Sequence, residues 1–340
     1  MYSSTIVVEQ ELWPAVKNGS RIMQRQIPKG TLILIGGAED RGINEIAIQN
    51  RNKQFVHFEI IKELLPNKKK NKKHILEIIT TASADPNGVM DTYSRAFKNV
   101  GFNEVGYINV ETDPSSSNPE IIKRINNAHA VLFSGGNQFR LSTILGNTDI
   151  IDVIIKKYYN DPDFIVAGTS AGAMAAAAIM IYEGQNDEAI LKDTVKLSSG
   201  LGFINHCIID THFAKRARFG RLAEAILMNP SCIGIGLGED TALTIKKGNE
   251  AICSGSGMVV ILDGRDITHT NISYAESGTP LCVENLRVHI LAKGNGFLLK
   301  ERKFVISRSD IKKQKELAVK ENKTGSTSLK KKKTQKVVYN

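Results

Sequence analysis

The sequence contains little cysteine and tryptophan, with four Cys and one Trp in 340 residues. The cysteines stand far apart and none belongs to a C-x-x-C pair, so we predict neither a disulfide framework nor a zinc site. No apolar run approaches the roughly 20 residues that a membrane-spanning helix needs. The first ten residues also lack the basic start and apolar stretch of a secretory signal. These absences favour a cytoplasmic protein without a membrane partner.

The positive charge is concentrated at one end of the chain. Eight of the ten net positive charges fall in residues 308–340, which include four consecutive lysines at 330–333. Too little apolar surface is present there to offset the entropy of ordering, so we predict a disordered tail. The rest of the chain is nearly neutral and the tail has almost no aromatic residues. We therefore expect no specific nucleic-acid partner, and at most a salt-sensitive attraction to phosphates.

Short apolar runs alternate with segments of helical periodicity over the first half of the chain. The runs that predict buried strands are 31–35, 74–80, 105–110, 130–133 and 164–167. The segments that predict helices are 44–65, 90–100, 121–128 and 148–159. Continuously apolar strands indicate a mostly parallel sheet between two helical layers, and hence an α/β fold. After about residue 205 the runs are shorter, which indicates a mixed or antiparallel region.

We accordingly divide the chain into three parts: an N-terminal extension at 1–28, a single α/β domain at 29–307, and the basic tail at 308–340. Polar, glycine-rich clusters follow four of the predicted strands. They are G-G-A-E-D at 36–40, T-T-A-S-A-D at 80–85, G-G-N-Q at 135–138 and G-T-S-A-G at 168–172. Because ligands bind beyond the carboxyl ends of the strands in such sheets, we expect these clusters to meet in one crevice.

Ser170 lies at the centre of the last cluster, between an apolar run and an alanine-rich stretch at 173–178. This strand, turn and helix layout is typical of a nucleophile elbow. The helix start would direct free N–H groups and its positive dipole end toward a developing oxyanion. The alternative is a small-residue turn without chemistry, because a serine hydroxyl needs a base to act as a nucleophile.

Seven histidines are present, and His212 has the most suggestive surroundings because D-T-H-F at 210–213 follows an apolar run. The alternative is a surface histidine at the start of a basic helix. A carboxylate should orient the imidazole. Glu239 and Asp240 are both candidates because they follow the apolar run at 233–237, although an acidic turn would give the same pattern.

These motifs resemble those of cyanophycinase and its relatives in the peptidase E-like group of serine peptidases. The matching pieces lie in the same order at 36–40, 135–138, 168–173, 210–222 and 234–242. The resemblance implies that Ser170 is the nucleophile, His212 the general base and Glu239 its orienting carboxylate. One position departs from the family pattern: Gly238 stands where an acidic residue is frequent, which alters local electrostatics and leaves Glu239 in place.

The resemblance also implies a class I glutamine amidotransferase-like (flavodoxin-like) sandwich, assembled as a homodimer, with no metal or cofactor. The substrate pocket that it implies is lined by Gln138, Asp210, Arg216, Arg218 and Arg221. Candidate oxyanion donors are the backbone amides of Gly136, Asn137 and Ala171.

The implied substrate is cyanophycin, a polyaspartate that carries arginine on its β-carboxylates, and the implied reaction is exo-cleavage into β-Asp-Arg dipeptides. The arginine cluster suits the carboxylates of such a polymer, while Asp210, or Glu39 and Asp40, could receive its guanidinium groups. Two alternatives stay open. One is a dipeptidase for small Asp-X or isoaspartyl peptides, and the other is a binding protein that has lost catalysis.

Overall fold

The computed structural model describes residues 26–42, 52–65, 74–111, 118–184, 189–307 and 309–312. Most of the predicted extension and tail, and residues 44–51 of the first predicted helix, lie outside the described residues. None of the described helices combines the length and apolarity that crossing a bilayer requires.

The described chain forms 17 strands and seven helices. The strands are β1 (Thr31–Ile35), β2 (Ile75–Ile79), β3 (Glu104–Ile108), β4 (Ala130–Phe133), β5 (Ile165–Thr169), β6 (Ile179–Glu183), β7 (Lys196–Ser199), β8 (Cys207–Asp210), β9 (Ile233–Leu237), β10 (Thr241–Lys246), β11 (Glu250–Gly255), β12 (Val259–Asp263), β13 (His269–Thr270), β14 (Val283–Glu284), β15 (Arg287–Leu291), β16 (Gly296–Leu298) and β17 (Lys303–Val305). The helices are α1 (Glu59–Glu63), α2 (Pro86–Val100), α3 (Pro119–Asn127), α4 (Gln138–Leu145), α5 (Asp149–Asn160), α6 (Ala171–Ala175) and α7 (Phe219–Met228).

A nine-stranded sheet in the order β17-β16-β11-β10-β1-β5-β4-β2-β3 forms the centre of the fold. Strands β1 to β5 are mutually parallel, and β10, β11, β16 and β17 extend the sheet by antiparallel pairing. A second sheet of four strands, β15-β12-β9-β8, contains one parallel pair, β8 with β9. The predicted α/β class and the mixed region after residue 205 are thus confirmed.

Alternate residues of the central strands lie in two separate hydrophobic cores, one on each face of the sheet. Leu32 and Leu34 of β1 lie in the core shared with α3, α4, α5 and the four-stranded sheet. Ile33 and Ile35 lie in the core shared with α1 and α2. A third core joins α7 to the far face of the four-stranded sheet. Because both faces of β1 are covered, its side chains are continuously apolar, as expected for an interior strand of a parallel sheet.

Local sequence signals explain where the helices begin and end. Asp85 caps α2 by accepting a hydrogen bond from the Gly88 amide, Pro86 is the first helical residue, and Gly101 ends the helix with a φ of 111°. Such a capping carboxylate, N1 proline and terminal glycine are a favoured combination. These caps set the loop between β2 and α2 at the carboxyl edge of the sheet.

The helix predicted over 44–65 is wrong for most of its described part, where only α1 is helical. Asp40 accepts hydrogen bonds from the Phe58 amide at 2.9 Å and from His57 Nδ1 at 3.1 Å. Phe58 itself has a φ of 57°. These hydrogen bonds to Asp40 stabilise turns through residues 52–58. Tertiary contacts therefore override the helical periodicity of this segment.

Candidate active site

Ser170 sits at the carboxyl end of β5, where the chain turns into α6. Its φ of 51° and ψ of −113° are unusual for a residue with a side chain. Its amide donates to the Ile35 carbonyl at 3.0 Å, which ties the turn to β1. Ala38, His212 and Asp240 also have positive φ values of 45–49°. Such strain collects where the surrounding fold imposes a functional geometry.

Glycines allow the turn to pack closely. A Cβ added to Gly168 would lie 2.4 Å from the Gly172 carbonyl oxygen, and one added to Gly172 would lie 2.2 Å from the Phe133 carbonyl oxygen. Real Cβ atoms do not approach backbone so closely, so both positions require glycine for close approach. The G-x-S-x-G spacing therefore has a packing reason in this fold.

His212 follows β8, and its imidazole lies against the nucleophile. Nε2 is 2.9 Å from Ser170 Oγ. The His212 amide donates to the Gly36 carbonyl at 2.9 Å, which holds the residue across from β1. A Cβ on Gly37 would lie 2.5 Å from both Cε1 and Nε2 of the imidazole, so the second glycine of the G-G pair makes room for the ring.

Glu239 and Asp240, adjacent in sequence, make different contacts. Glu239 Oε1 is 2.8 Å from His212 Nδ1, and its Oε2 accepts from Lys215 Nζ at 2.9 Å. Asp240 is buried and accepts hydrogen bonds from the Asp40 amide at 2.9 Å and from Ser256 Oγ at 2.5 Å. Glu239 is therefore the carboxylate that contacts the imidazole, while Asp240 fixes the loop behind it.

The electrostatics keep His212 neutral and Glu239 ionised near neutral pH. Burial, reinforced by the positive charges of Arg216 and Arg218, lowers the pKa of His212 against the opposing effect of Glu239. Burial alone would raise the pKa of Glu239, but hydrogen bonds from His212 and Lys215 outweigh it and lower that pKa. A neutral imidazole beside a serine hydroxyl is the protonation state that a general base requires.

The predicted oxyanion donors differ in availability. The Asn137 amide donates to the Ala82 carbonyl at 2.8 Å, so it is already engaged. The Ala171 amide is the first of α6 and has no acceptor within that helix. Gly136 has a φ of 140°, and a Cβ on the preceding Gly135 would lie 3.4 Å from Ser170 Cβ. The amides of Gly136 and Ala171 thus remain as candidates around Ser170.

Three of the five predicted substrate-binding residues form an ion-paired cluster around Asp210, whereas Arg216 is exposed and Gln138 is half-buried. Asp210 is fully buried, and it binds Arg221 Nε at 2.6 Å and Arg218 Nη1 at 3.1 Å. Arg216 is exposed and forms no ion pair within the described part of the chain. Gln138 Nε2 donates to the Ile181 and Tyr182 carbonyls at 3.0 and 3.3 Å. The geometry thus gives Asp210 the role of an anchor for two arginines.

The remaining acidic candidates, Glu39 and Asp40, are also buried and engaged. Glu39 accepts hydrogen bonds from Tyr93 Oη and, at 2.8 Å, from Thr169 Oγ1. Burial and the negative charge of Glu39 raise the pKa of Tyr93 well above its ordinary value. Since Thr169 precedes the nucleophile, this buried carboxylate helps to fix the end of β5.

Sequence reasoning placed Gly37 and Thr169 in motifs of the expected crevice without giving either a role, and it did not single out Lys215 or Tyr93. The double glycine after β1 and the lysine three residues after His212 were available signals. The sequence around Tyr93 contains no such signal. Tyr93 lies in the middle of α2, and only the packing of α2 on the sheet brings it to Glu39.

Serine, imidazole and carboxylate joined by hydrogen bonds at the edge of an α/β sheet define a serine hydrolase site. Residues 46–252 match the sequence model of peptidase family S51. The cyanophycinase of Trichormus variabilis is 31% identical over 277 residues, which are 82% of this chain and 88% of that protein. Peptidase E of a Nostoc species is 30% identical over 162 residues, which are 45% of this chain and 62% of that protein.

A crystal structure of a peptidase from an acI-B1 actinobacterium has a similar fold. It aligns with a TM-score of 0.55 and 22% identity, over 82% of this chain and 99% of that one. The chain belongs to peptidase family S51 and is a serine-type peptidase, and the resemblance to the cyanophycinases is confirmed.

Proposed function

We propose that this peptidase hydrolyses cyanophycin to β-Asp-Arg dipeptides through an acyl-enzyme on Ser170. The observation that carries the proposal is the hydrogen-bonded series Ser170, His212 and Glu239, with separations of 2.9 and 2.8 Å. The similarity to a cyanophycinase over most of both chains supports the polymer as substrate. The similarity to a peptidase E covers less than half of this chain, so it supports the small-peptide alternative less strongly than the cyanophycinase similarity supports the polymer.

In the first step, Ser170 Oγ attacks the carbonyl of an aspartyl peptide bond while His212 Nε2 takes its proton. The imidazolium that forms donates through Nδ1 to Glu239, whose charge stabilises it. The amides of Gly136 and Ala171 would stabilise the oxyanion, and the small residues around Ser170 leave the carbonyl room to approach. His212 then protonates the leaving amine.

In the second step, water attacks the acyl-enzyme with His212 again as the base, and Ser170 is released. The chain's own residues provide every proton transfer in this scheme. The low pKa of His212 keeps the base unprotonated in the free enzyme, so activity should rise with pH through that lowered pKa.

Carboxylates of the substrate would bind at the basic side of the site. Arg216 is exposed and offers its guanidinium donors to a ligand. The side chain of Arg218 is only 12% exposed and its Nε–H is buried without an acceptor, so Arg216 is the more accessible of the two. Arg221 is committed to Asp210 and would act by holding Arg218 in place through the shared carboxylate. Gln138, whose amide nitrogen is engaged, would offer its oxygen.

We further propose a single catalytic domain at 29–307 with the class I glutamine amidotransferase-like arrangement, acting as a homodimer in the cytoplasm. The three cores that link the nine-stranded sheet, the four-stranded sheet and all seven described helices support one domain. The four free cysteines fit a reducing compartment. Removal of residues 308–340 should leave hydrolysis intact in a product assay, and a large loss of activity would contradict this division.

The test is product analysis by mass spectrometry after incubation with insoluble cyanophycin. The wild type, Ser170→Ala and a matched control, Ser199→Ala on an exposed position of β7, are compared. We expect β-Asp-Arg from the wild type and from Ser199→Ala alone. Release by Ser170→Ala would exclude this nucleophile. Wild-type cleavage of an Asp-X dipeptide without release from the polymer would shift the assignment to the dipeptidase function.

A further inference from the structure

An aromatic pair, one ring exposed and the other half-buried, has no part in the scheme above. Phe139, in the first turn of α4, is 44% exposed. It contacts Tyr182 of β6, with ring centroids 4.9 Å apart and planes inclined by 30°. Phe139 is exposed and Tyr182 is half-buried, so this tilted pair presents an aromatic surface to solvent that a ligand could contact.

Two contacts place the pair on the side of the site next to the oxyanion turn. Gln138 Nε2 donates to the Tyr182 carbonyl and so fastens β6 to the start of α4. The turn that leads into α4 contains Gly135, where an added Cβ would lie 3.9 Å from Ser170 Oγ. Phe139 therefore follows the segment that lines the nucleophile by only a few residues.

A third contact links the same strand to the basic cluster. Arg221 Nη1 donates to the Gly184 carbonyl at 3.4 Å, and Gly184 follows Tyr182 by two residues. The end of β6 thus touches the oxyanion side through Gln138 and the basic side through Arg221. A polymer that binds Arg216 and Arg218 with its carboxylates would have its arginine side chains within reach of this strand end.

The carboxylates that were expected to receive those guanidinium groups are buried and engaged. Asp210 holds two arginines, Glu39 holds Tyr93 and Thr169, and Asp40 orders the turn before α1. A planar guanidinium stacks on aromatic faces, whereas a compact and strongly hydrated ammonium does so less well.

We propose that Phe139 and Tyr182 form a platform on which the guanidinium of a substrate arginine stacks, so that the enzyme prefers arginine to lysine on the polymer. The inference rests on the proposed function and deepens it, because it assigns the residues that select the side chain. The platform binds the substrate and takes no part in proton transfer.

The experiment compares kcat/KM on cyanophycin with kcat/KM on the same polymer carrying lysine in place of arginine. Phe139→Leu keeps an apolar side chain without a ring, and Phe139→Tyr keeps the ring. We expect the arginine-to-lysine ratio to fall roughly 3- to 10-fold in Phe139→Leu and to stay at the wild-type value in Phe139→Tyr. The ratio is independent of the amount of folded enzyme, so partial misfolding does not obscure it.

Ile252→Ala provides the control, because Ile252 is 53% exposed on β11, a strand on the antiparallel side of the nine-stranded sheet. Its ratio should equal that of the wild type. A wild-type ratio near one, or an unchanged ratio in Phe139→Leu, would overturn the platform. A wild type that cleaves neither polymer would instead refute the proposed function. The wild-type assay alone detects that outcome, so it is distinguished from a failure of the platform.

Discussion

Gly37→Ala should separate the imidazole from the nucleophile. The added Cβ would lie 2.5 Å from Cε1 and Nε2 of His212. Favourable carbon contacts lie at about 3.5–4.0 Å, so the ring must move by roughly 1 Å. Because Nε2 is 2.9 Å from Ser170 Oγ, such a movement breaks the hydrogen bond. A misplacement of about 1 Å costs on the order of 10²-fold in rate, which is the loss we expect.

The backbone cost of the substitution can be measured separately. Gly37 has a φ of 93°, and Gly202 has a φ of 76° with no atom within 4 Å of an added Cβ. Alanine in this region costs about 1–2 kcal/mol at either position. Gly202→Ala therefore reproduces the strain without the clash, and urea unfolding should show a loss of stability for Gly37→Ala at least as large as that for Gly202→Ala.

The activity assay is the rate constant for labelling of Ser170 by a fluorophosphonate, which needs no assumption about the substrate. We expect a large decrease for Gly37→Ala and a rate close to wild type for Gly202→Ala. The reasoning would be refuted if Gly37→Ala were labelled at the wild-type rate, or if both variants lost the same activity.

Three further predictions concern the charged groups of the site. Glu239→Gln removes the charge that stabilises the His212 imidazolium, so kcat should fall on the order of 10⁴-fold in steady-state assays; a loss below tenfold would show that the charge is dispensable. Arg216→Ala removes a cation that lowers the pKa of His212, so the acid limb of the kcat/KM profile should move to higher pH; an unmoved limb would contradict this cause. Asp210→Asn leaves the buried Arg221 and the largely buried Arg218 without their carboxylate and should lower the free energy of unfolding in urea by about 3–5 kcal/mol. Asp266→Asn, which breaks an exposed ion pair, should change it by less than about 1 kcal/mol, and equal losses would count against burial as the cause.

The parallel half of the fold is predictable from sequence because its strands are continuously apolar. The run at 130–133 coincides with β4, and the run at 31–35 with β1. The antiparallel additions are harder to recognise because their strands mix exposed and buried residues. In β11 the apolar run A-I-C at 251–253 is only three residues long, and Ile252 at its centre is exposed, so the run is too short to mark the strand.

Local patterns predicted the components of the site one at a time, whereas the pairing of His212 with Ser170 and Glu239 was implied only by the family resemblance. Glu239 and Asp240 are adjacent carboxylates that local sequence does not distinguish, and their different partners become visible only in the fold, where Asp240 has a φ of 45°. Likewise, the sequence shows Asp210 and Arg221 as two charged residues of a pocket. Their burial against each other depends on how α7 packs on the four-stranded sheet, which no local pattern specifies.

The carbonyl groups of Gly36 and Gly37 join the two sheets at the triad. They accept the amides of His212 and Asp240 at 2.9 and 3.0 Å. Ser170 follows a strand of the nine-stranded sheet, whereas His212 follows a strand of the four-stranded sheet. A fluctuation that slides one sheet over the other would therefore disable the enzyme while both strand ladders stay intact. The rate of hydrogen exchange at the amides of His212 and Asp240 would measure how often their hydrogen bonds to Gly36 and Gly37 open.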